Sequence, residues 1–230
     1  GGTENITGFA VGSTGALTVL PGSARPLSGT GVGPAEVSFD PTGRWLVVTE
    51  KNTSLIDVYT VDGNGYASSP HVNPSAGVEP FGFTFNQQGV LLVSEAFEGA
   101  ADGSAVSSYT LGAGGQLQVV TASATTTETA ACWVAVSGKF VYAANTGSGS
   151  VTGFEVRNGE LALLNSDGRT GASGDTPIDV AVSANGQFLY SLAATSRTIS
   201  AFGIRQNDGS LAQVAGASGL PAGTVGLAAR

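Results

Sequence analysis

An all-β fold, a β-propeller of four-stranded antiparallel blades, is predicted by three observations. An aromatic-centred segment occurs at residues 5–11, 55–61, 105–111, 150–156 and 198–204, and its aromatics Phe9, Tyr59, Tyr109, Phe154 and Phe202 are spaced 50, 50, 45 and 48 residues apart. The apolar runs between these segments end in glycine-containing turns of the kind that close hairpins. Charged residues are only 11% of the chain while Gly contributes 35, which suits short strands joined by tight turns and leaves no amphipathic helical run.

Strands are labelled A to D from the propeller axis outward. Strand A is read at 36–39, 81–85, 132–136 and 178–182, with a last copy at 225–229. Pro34, Pro80 and Pro177 stand just ahead of three of them, where a missing N–H does no harm. Turns closing on Gly43, Gly89, Gly138 and Gly186 lead into strand B at 45–48, 91–93, 140–143 and 188–191. These strands are almost wholly apolar, as strands sandwiched between neighbouring blades should be. Strand C is the recurring segment itself, and a second set of Gly turns leads to strand D at 17–20, 66–69, 117–120, 161–164 and 211–214.

The register implies one domain with blades at about 32–77, 78–127, 128–174 and 175–223, and strands of a split blade within 1–31 and 224–230. That is about five blades' worth. Two readings of the ends stay open: a five-bladed ring closed by sharing strands between the termini, or part of a larger ring, such as a seven-bladed one, completed by upstream polypeptide. Open blade edges recruit strands, so a missing N-terminal fragment or a strand-sharing oligomer partner is an expected partner.

Net charge of −8 with only two lysines, Lys51 and Lys139, and seven scattered arginines disfavours nucleic acid and anionic lipid. No apolar run reaches the roughly 18 to 20 residues that span a bilayer, so no membrane insertion is expected. Cys132 is the single cysteine, which rules out an intrachain disulfide and a Cys-rich metal site; no metal or cofactor is expected. Few lysines among abundant Ser, Thr, Gly and Ala fit a secreted or periplasmic protein, with a cytoplasmic one still open.

The unit running from Ala35 through Phe39, Pro41, Gly43 and Leu46 to Val48 resembles the YVTN-type repeat of lactonase-type seven-bladed propellers, the family of 6-phosphogluconolactonase-like and carboxymuconate-lactonizing proteins. The resemblance covers the whole chain, and 93–97 and 127–133 are similar to bacterial members. Seven blades at this period need about 330 residues, so the chain looks like the C-terminal two-thirds of such a protein. The resemblance implies lactone chemistry, with His and Arg at the head of strand A and acidic residues near the end of strand B. Here the strand-A heads read Ala35-Glu36, Phe81-Gly82 and Ile178-Asp179, without His or Arg, while Glu50 and Glu95 stand at strand-B ends.

Propellers bind ligands where the D-to-A and B-to-C loops gather at one end of the channel. Glu50 and Glu95, in like positions of adjacent blades, are the candidate acid/base pair, with His71, the only histidine, assisting. Lys51, Glu128, Trp133, Asn145 and Asp175 are candidate ligand-binding residues. The plainer readings are solvated loop carboxylates, a Glu50–Lys51 surface pair, an idle loop histidine between Pro70 and Pro74, and a Cys132 that only packs. The expected function is a scaffold presenting the channel-mouth loops to a small-molecule, glycan or protein ligand; the alternative is a hydrolase of a lactone or cyclic ester using loop carboxylates.

Overall fold

The computed structural model describes residues 4–230. The described chain starts with β1 (Asn5–Ile6), β2 (Phe9–Val11), β3 (Leu17–Val19) and β4 (Arg25–Pro26), where β2 pairs β3 and β1 pairs β4. These are a strand C and a strand D, each interrupted midway.

Four antiparallel sheets follow in chain order. The first is β5 (Pro34–Phe39), β6 (Trp45–Glu50), β7 (Leu55–Thr60) and β8 (His71–Pro74), and the second is β9 (Pro80–Phe85), β10 (Leu91–Glu95), β11 (Ala105–Leu111) and β12 (Leu117–Thr125). The third is β13 (Ala131–Ser137), β14 (Phe140–Asn145), β15 (Ser150–Arg157) and β16 (Glu160–Leu163), with β17 (Gly171–Ala172) also on β15. The fourth is β18 (Pro177–Val182), β19 (Phe188–Ala193), β20 (Thr198–Ile204) and β21 (Leu211–Ser218). The strands A, namely β5, β9, β13 and β18, neighbour one another in turn. The sheets are therefore blades packed face to face around an axis, and among the described residues the ring is an open arc.

The recurring aromatics explain the packing. Tyr59, Tyr109, Phe154 and Phe202 are 0 to 2% exposed, each contributing about 1.5–3 kcal/mol by burial. Alternate strand residues face opposite neighbours, so each junction has its own core: Trp45 and Val47 meet Phe83, Leu91 and Tyr109; Leu92 meets Val134 and Val141; Tyr142 meets Val180 and Leu189. The A-to-B turns pass through left-handed glycines such as Gly43 (φ 71°) and Gly89 (φ 77°), a conformation that favours Gly.

Two strand assignments are corrected. In the first blade, strand D was expected at 66–69; there only Ala67 bridges to Val61, and the ladder on β7 is formed by His71–Pro74. The cause is a break after the Asp62–Gly65 turn, where Pro70 has no N–H to continue a ladder. Residues 225–229 were expected as a strand A and form no strand, since no strand B of the described residues lies beside them to pair with. They nevertheless hold a strand-A place: the Leu227 N–H donates to Asp179 Oδ2 at 2.5 Å.

Candidate functional site

One end of the axis is built by the same local device in every blade. The residue before each strand A is left-handed: Gly33 (φ 62°), Glu79 (φ 58°), Ala130 (φ 56°) and Thr176 (φ 50°). For a β-branched Thr this is a strained geometry. Its carbonyl accepts the N–H of the residue following strand B, giving the pairs Lys51–Gly33, Ala96–Glu79, Thr146–Ala130 and Ala194–Thr176 at 3.0, 3.0, 2.8 and 3.1 Å. A bulge follows in each strand A, between Pro34 and Val37, Pro80 and Phe83, Ala131 and Trp133, and Pro177 and Asp179. Bulges re-aim side chains at sheet rims, and here they do so around a shared mouth.

Hydroxyls lock the heads of the strands A to one another. Thr49 Oγ1 donates to the Phe81 carbonyl at 2.5 Å, Ser94 Oγ to the Cys132 carbonyl at 2.6 Å, and Thr146 Oγ1 to the Pro177 carbonyl at 2.7 Å. Each bond runs from one blade to the next. Gly82 sits in the closest approach, for a Cβ there would lie 2.6 Å from the Cys132 carbonyl oxygen.

The re-aimed side chains set the chemistry. Glu36 and Asp179 occupy like positions in β5 and β18, and each accepts a backbone N–H from the next strand-A place: Glu36 Oε2 from Phe83 at 2.7 Å, Asp179 Oδ2 from Leu227. Burial pushes the Glu36 carboxyl up to about 7; the Phe83 N–H opposes the rise, and the charge of Asp179 adds to it. Asp179 is raised by burial as well, against the pull of the Leu227 and Val180 N–H groups. A carboxyl near neutrality gives and takes protons at working pH.

At the heads of the second and third strands A, the Lys51 ammonium lies 4.9 Å from the centre of the Phe81 ring, and Phe81 meets Trp133 edge to face at 5.4 Å. A cation, an aromatic platform and a proton-exchanging carboxylate thus share the mouth. Cys132 lies next to Trp133; burial raises its thiol pKa, which disfavours the thiolate needed for attack.

The carboxylates expected in solvated loops are elsewhere. Glu50 and Glu95 are fully buried inside their blades, and no hydrogen-bonding partner is common to both. Glu50 accepts from the Ser28 N–H and hydroxyl at 3.0 and 2.5 Å and from Thr53 Oγ1 at 2.7 Å. Glu95 accepts from Ser107 Oγ at 2.5 Å, Ser123 Oγ at 2.7 Å and the Gly77 N–H at 2.8 Å. Asn145, the third residue of this series, donates to Ser150 Oγ and Thr152 Oγ1, and Ser150 in turn donates to buried Glu128. The strand-C residues Asp57, Ser107 and Thr152 recur at one register position: Ser107 and Thr152 hydrogen-bond to Glu95 and Asn145, forming a polar clasp in two blades, while Asp57 faces Glu50 as a second carboxyl.

Lys51 and Trp133 are thus brought together through Phe81, and Glu128 and Asn145 through Ser150. Glu128 is buried, and Arg169 approaches it at 3.4 Å. Asp175 is exposed on the rim, accepting from the Ser196 N–H. His71 is not in a loop: it begins β8, on the outer edge of the first blade, with Nδ1 buried and without a hydrogen-bond partner among the described residues. The Glu50–Lys51 surface pair does not form, since Glu50 is inside and Lys51 lies on Phe81. Reading the sequence by residue type passed over Glu36, Asp179 and Phe81; aligning the strand-A heads by register is the signal that picks them out. No group of three or more His, Cys, Asp or Glu among the described residues is placed to hold a metal.

The sequence profile of the family described as lactonase, 7-bladed beta-propeller, matches residues 104–225, just over half of the chain. No curated protein matches significantly. Among solved structures, a Bacteroides fragilis protein provisionally assigned as a 6-phosphogluconolactonase is similar at 22% identity and a TM-score of 0.70, over 91% of this chain and 63% of that one. A Lactobacillus plantarum protein gives a TM-score of 0.79 at 18% identity, covering 95% of this chain and 66% of its own. The periplasmic gluconolactonase of Pseudomonas aeruginosa gives 0.72 at 18% identity, covering 98% and 67%. At such identities the likeness shows the fold, and the chain spans about two-thirds of the length of these proteins.

Proposed function

The chain belongs to the lactonase, seven-bladed β-propeller family, and on that footing we propose that the channel mouth binds a lactone or related cyclic ester and hydrolyses it. The observation that carries this reading is Glu36, a carboxyl pushed up to about 7 near the charge of Asp179, at the same ring of strand-A heads that holds Phe81 with the Lys51 ammonium over it and Trp133 at its edge. In the proposed step, ionised Glu36 takes a proton from water as the water oxygen bonds to the ester carbonyl carbon. The resulting oxyanion is stabilised by the Lys51 ammonium. Collapse breaks the ring C–O bond, and the leaving alkoxide receives the proton held by Glu36, so the product is the open hydroxy acid. Phe81 and Trp133 provide the face on which the ring lies. Glu50 and Glu95, as buried clasps, support the mouth in this reading.

The scaffold reading uses the same mouth without turnover, and it is favoured by the scarcity of cations there: Lys51 is alone among the strand-A heads and the residues that follow strand B. A panel of simple neutral lactones separates the two. Turnover that falls about a hundredfold or more in Glu36→Gln and Lys51→Ala, with folding intact, supports hydrolysis. Binding without turnover leaves the scaffold, and turnover untouched by both changes removes this site.

A further inference from the structure

We infer that the other end of the strands A, where the strand-A to strand-B turns of the second, third and fourth blades meet, is a binding site for an uncharged, hydroxyl-rich ligand, a saccharide. The site is separate from the proposed lactone mouth. Strands A of 6, 7 and 6 residues lie between the two, a distance of about 20 Å.

The first observation is the cavity. It has a volume of about 450 Å³ and is lined by the ends of β9, β13 and β18, by the turns that follow them, and by Gln206 in the turn between β20 and β21. Its size falls within the range of small-molecule sites. Three blades each contribute a wall, so the cavity is a product of blade packing.

The second is the character of the lining. No charged side chain takes part in it. At the position that closes strand A the first blade has Asp40, whereas the three blades around the cavity have Asn86, Ser137 and Ser183. Phe85, Val136 and Val182 stand at one register position and supply an apolar face, while Thr84, Gln87 and Gln206 supply a hydroxyl and two amides. A sugar ring divides its surface in the same way, into C–H faces and a hydroxyl-bearing edge, and small-molecule sites combine an apolar lining with a few polar groups that fix orientation.

The third is which polar groups are free. Ser137 Oγ and Gln206 Nε2 donate to the Gly186 carbonyl at 2.7 and 2.9 Å, and Ser183 Oγ donates to Asn185 Oδ1 at 2.7 Å. The walls are therefore fixed to one another before any ligand arrives. Among the described residues, Thr84 Oγ1, the Gln87 amide and Gln206 Oε1 have no hydrogen-bond partner. Hydroxyls and amides both give and take hydrogen bonds, as the hydroxyls of a saccharide do. A carboxylate or phosphate would find no cation to pair with, and an apolar ligand would strip water from these groups without replacing it.

The test uses the full chain and saturation-transfer NMR with glucose, galactose, mannose and maltose, and with glucose 6-phosphate as the charged comparison. Saturable binding of at least one uncharged sugar, unchanged between low and high salt and weakened about fivefold or more by Gln87→Ala and by Gln206→Ala, supports the site. Both glutamines are exposed turn residues, so these changes spare the fold. Absence of saturation with all four sugars, equal or tighter binding of glucose 6-phosphate, or binding indifferent to either glutamine change would each overturn it. So would binding that is lost in Lys51→Ala and kept in Gln87→Ala, because the sugar would then sit at the mouth.

Discussion

Glu36 Oε2 accepts the backbone N–H of Phe83 at 2.7 Å, so the innermost strand of one blade is tied to that of the next by a side chain that exchanges its proton near neutral pH. Three blades on, Asp179 repeats the bond with Leu227. The mouth is therefore held by the groups proposed to work there, and its stability and chemistry are linked.

That link has a definite sign. The Glu36 carboxyl is raised from 4.5 to about 7, so the folded chain keeps a proton that the unfolded chain has released, and this contribution to stability is lost as pH rises across that window. Glu36→Gln keeps an oxygen acceptor for the Phe83 N–H and has no proton to lose. Thermal melts at about pH 5 and pH 8 should show a smaller drop for the variant than for the parent, each 1 kcal/mol corresponding to about 2–4 °C. Identical drops in both proteins would falsify the assignment.

Asp57 makes a second test inside the first blade. It is fully buried, and Oδ1 has no hydrogen-bond partner among the described residues. Burial first, then the charge of neighbouring Glu50, pushes its carboxyl up to about 7, with Tyr59 opposing. Asp57→Asn removes the charge repulsion and offers Glu50 an N–H. The urea midpoint of the variant should exceed that of the parent at about pH 8 by clearly more than at about pH 5, because the penalty on the parent shrinks as pH falls from about 7 toward 3.8. An advantage of equal size at both pH values would contradict it.

Glu95 should matter for stability more than its loop-like sequence context implies. Removing it in Glu95→Ala strands two serine hydroxyls and the Gly77 N–H, at a cost on the order of 3 kcal/mol or more, since each buried unsatisfied group costs about 1–3 kcal/mol. Glu95→Gln retains an acceptor and should cost less. Chemical denaturation of the pair checks the order, and a near-neutral alanine variant would show that the clasp is dispensable.

Gly82 tests the close approach of strands at the mouth. A methyl group there meets the Cys132 carbonyl at 2.6 Å and the Trp133 ring at 2.8 Å, so Gly82→Ala should push β9 and β13 apart and cost about 1–3 kcal/mol. Trp133 fluorescence should become more accessible to acrylamide. An unchanged melt with unchanged quenching would mean that the strands relax freely.

Much of the architecture was legible in the chain because it is written in local terms. Periodic aromatics, apolar strands B and glycine turns recur at fixed offsets, and each of the four strand-A to strand-B hairpins stands where that pattern puts it. One failure was local in cause as well, and the other, residues 225–229, was not, since a strand forms there only with a strand B beside it. Tyr66 to Ser69 have the pattern of a strand D, but Pro70 cuts the ladder and passes it to β8.

The site was less legible, because burial is a property of neighbours. Glu50, Glu95 and Asn145 look like loop residues in the sequence, and only the packing of strands C and of the D-to-A segments over them makes them interior. Glu36 and Asp179 look like ordinary strand residues, and only the bulge, together with the approach of blades far apart in sequence, sets them at one mouth. The sequence by itself determined the repeat, the strand order within a blade and the residue types available. The tertiary structure decided which of those residues meet, which are cut off from water and which proton is held near neutrality, because contacts between blades and the desolvation they impose join residues that no local pattern places together.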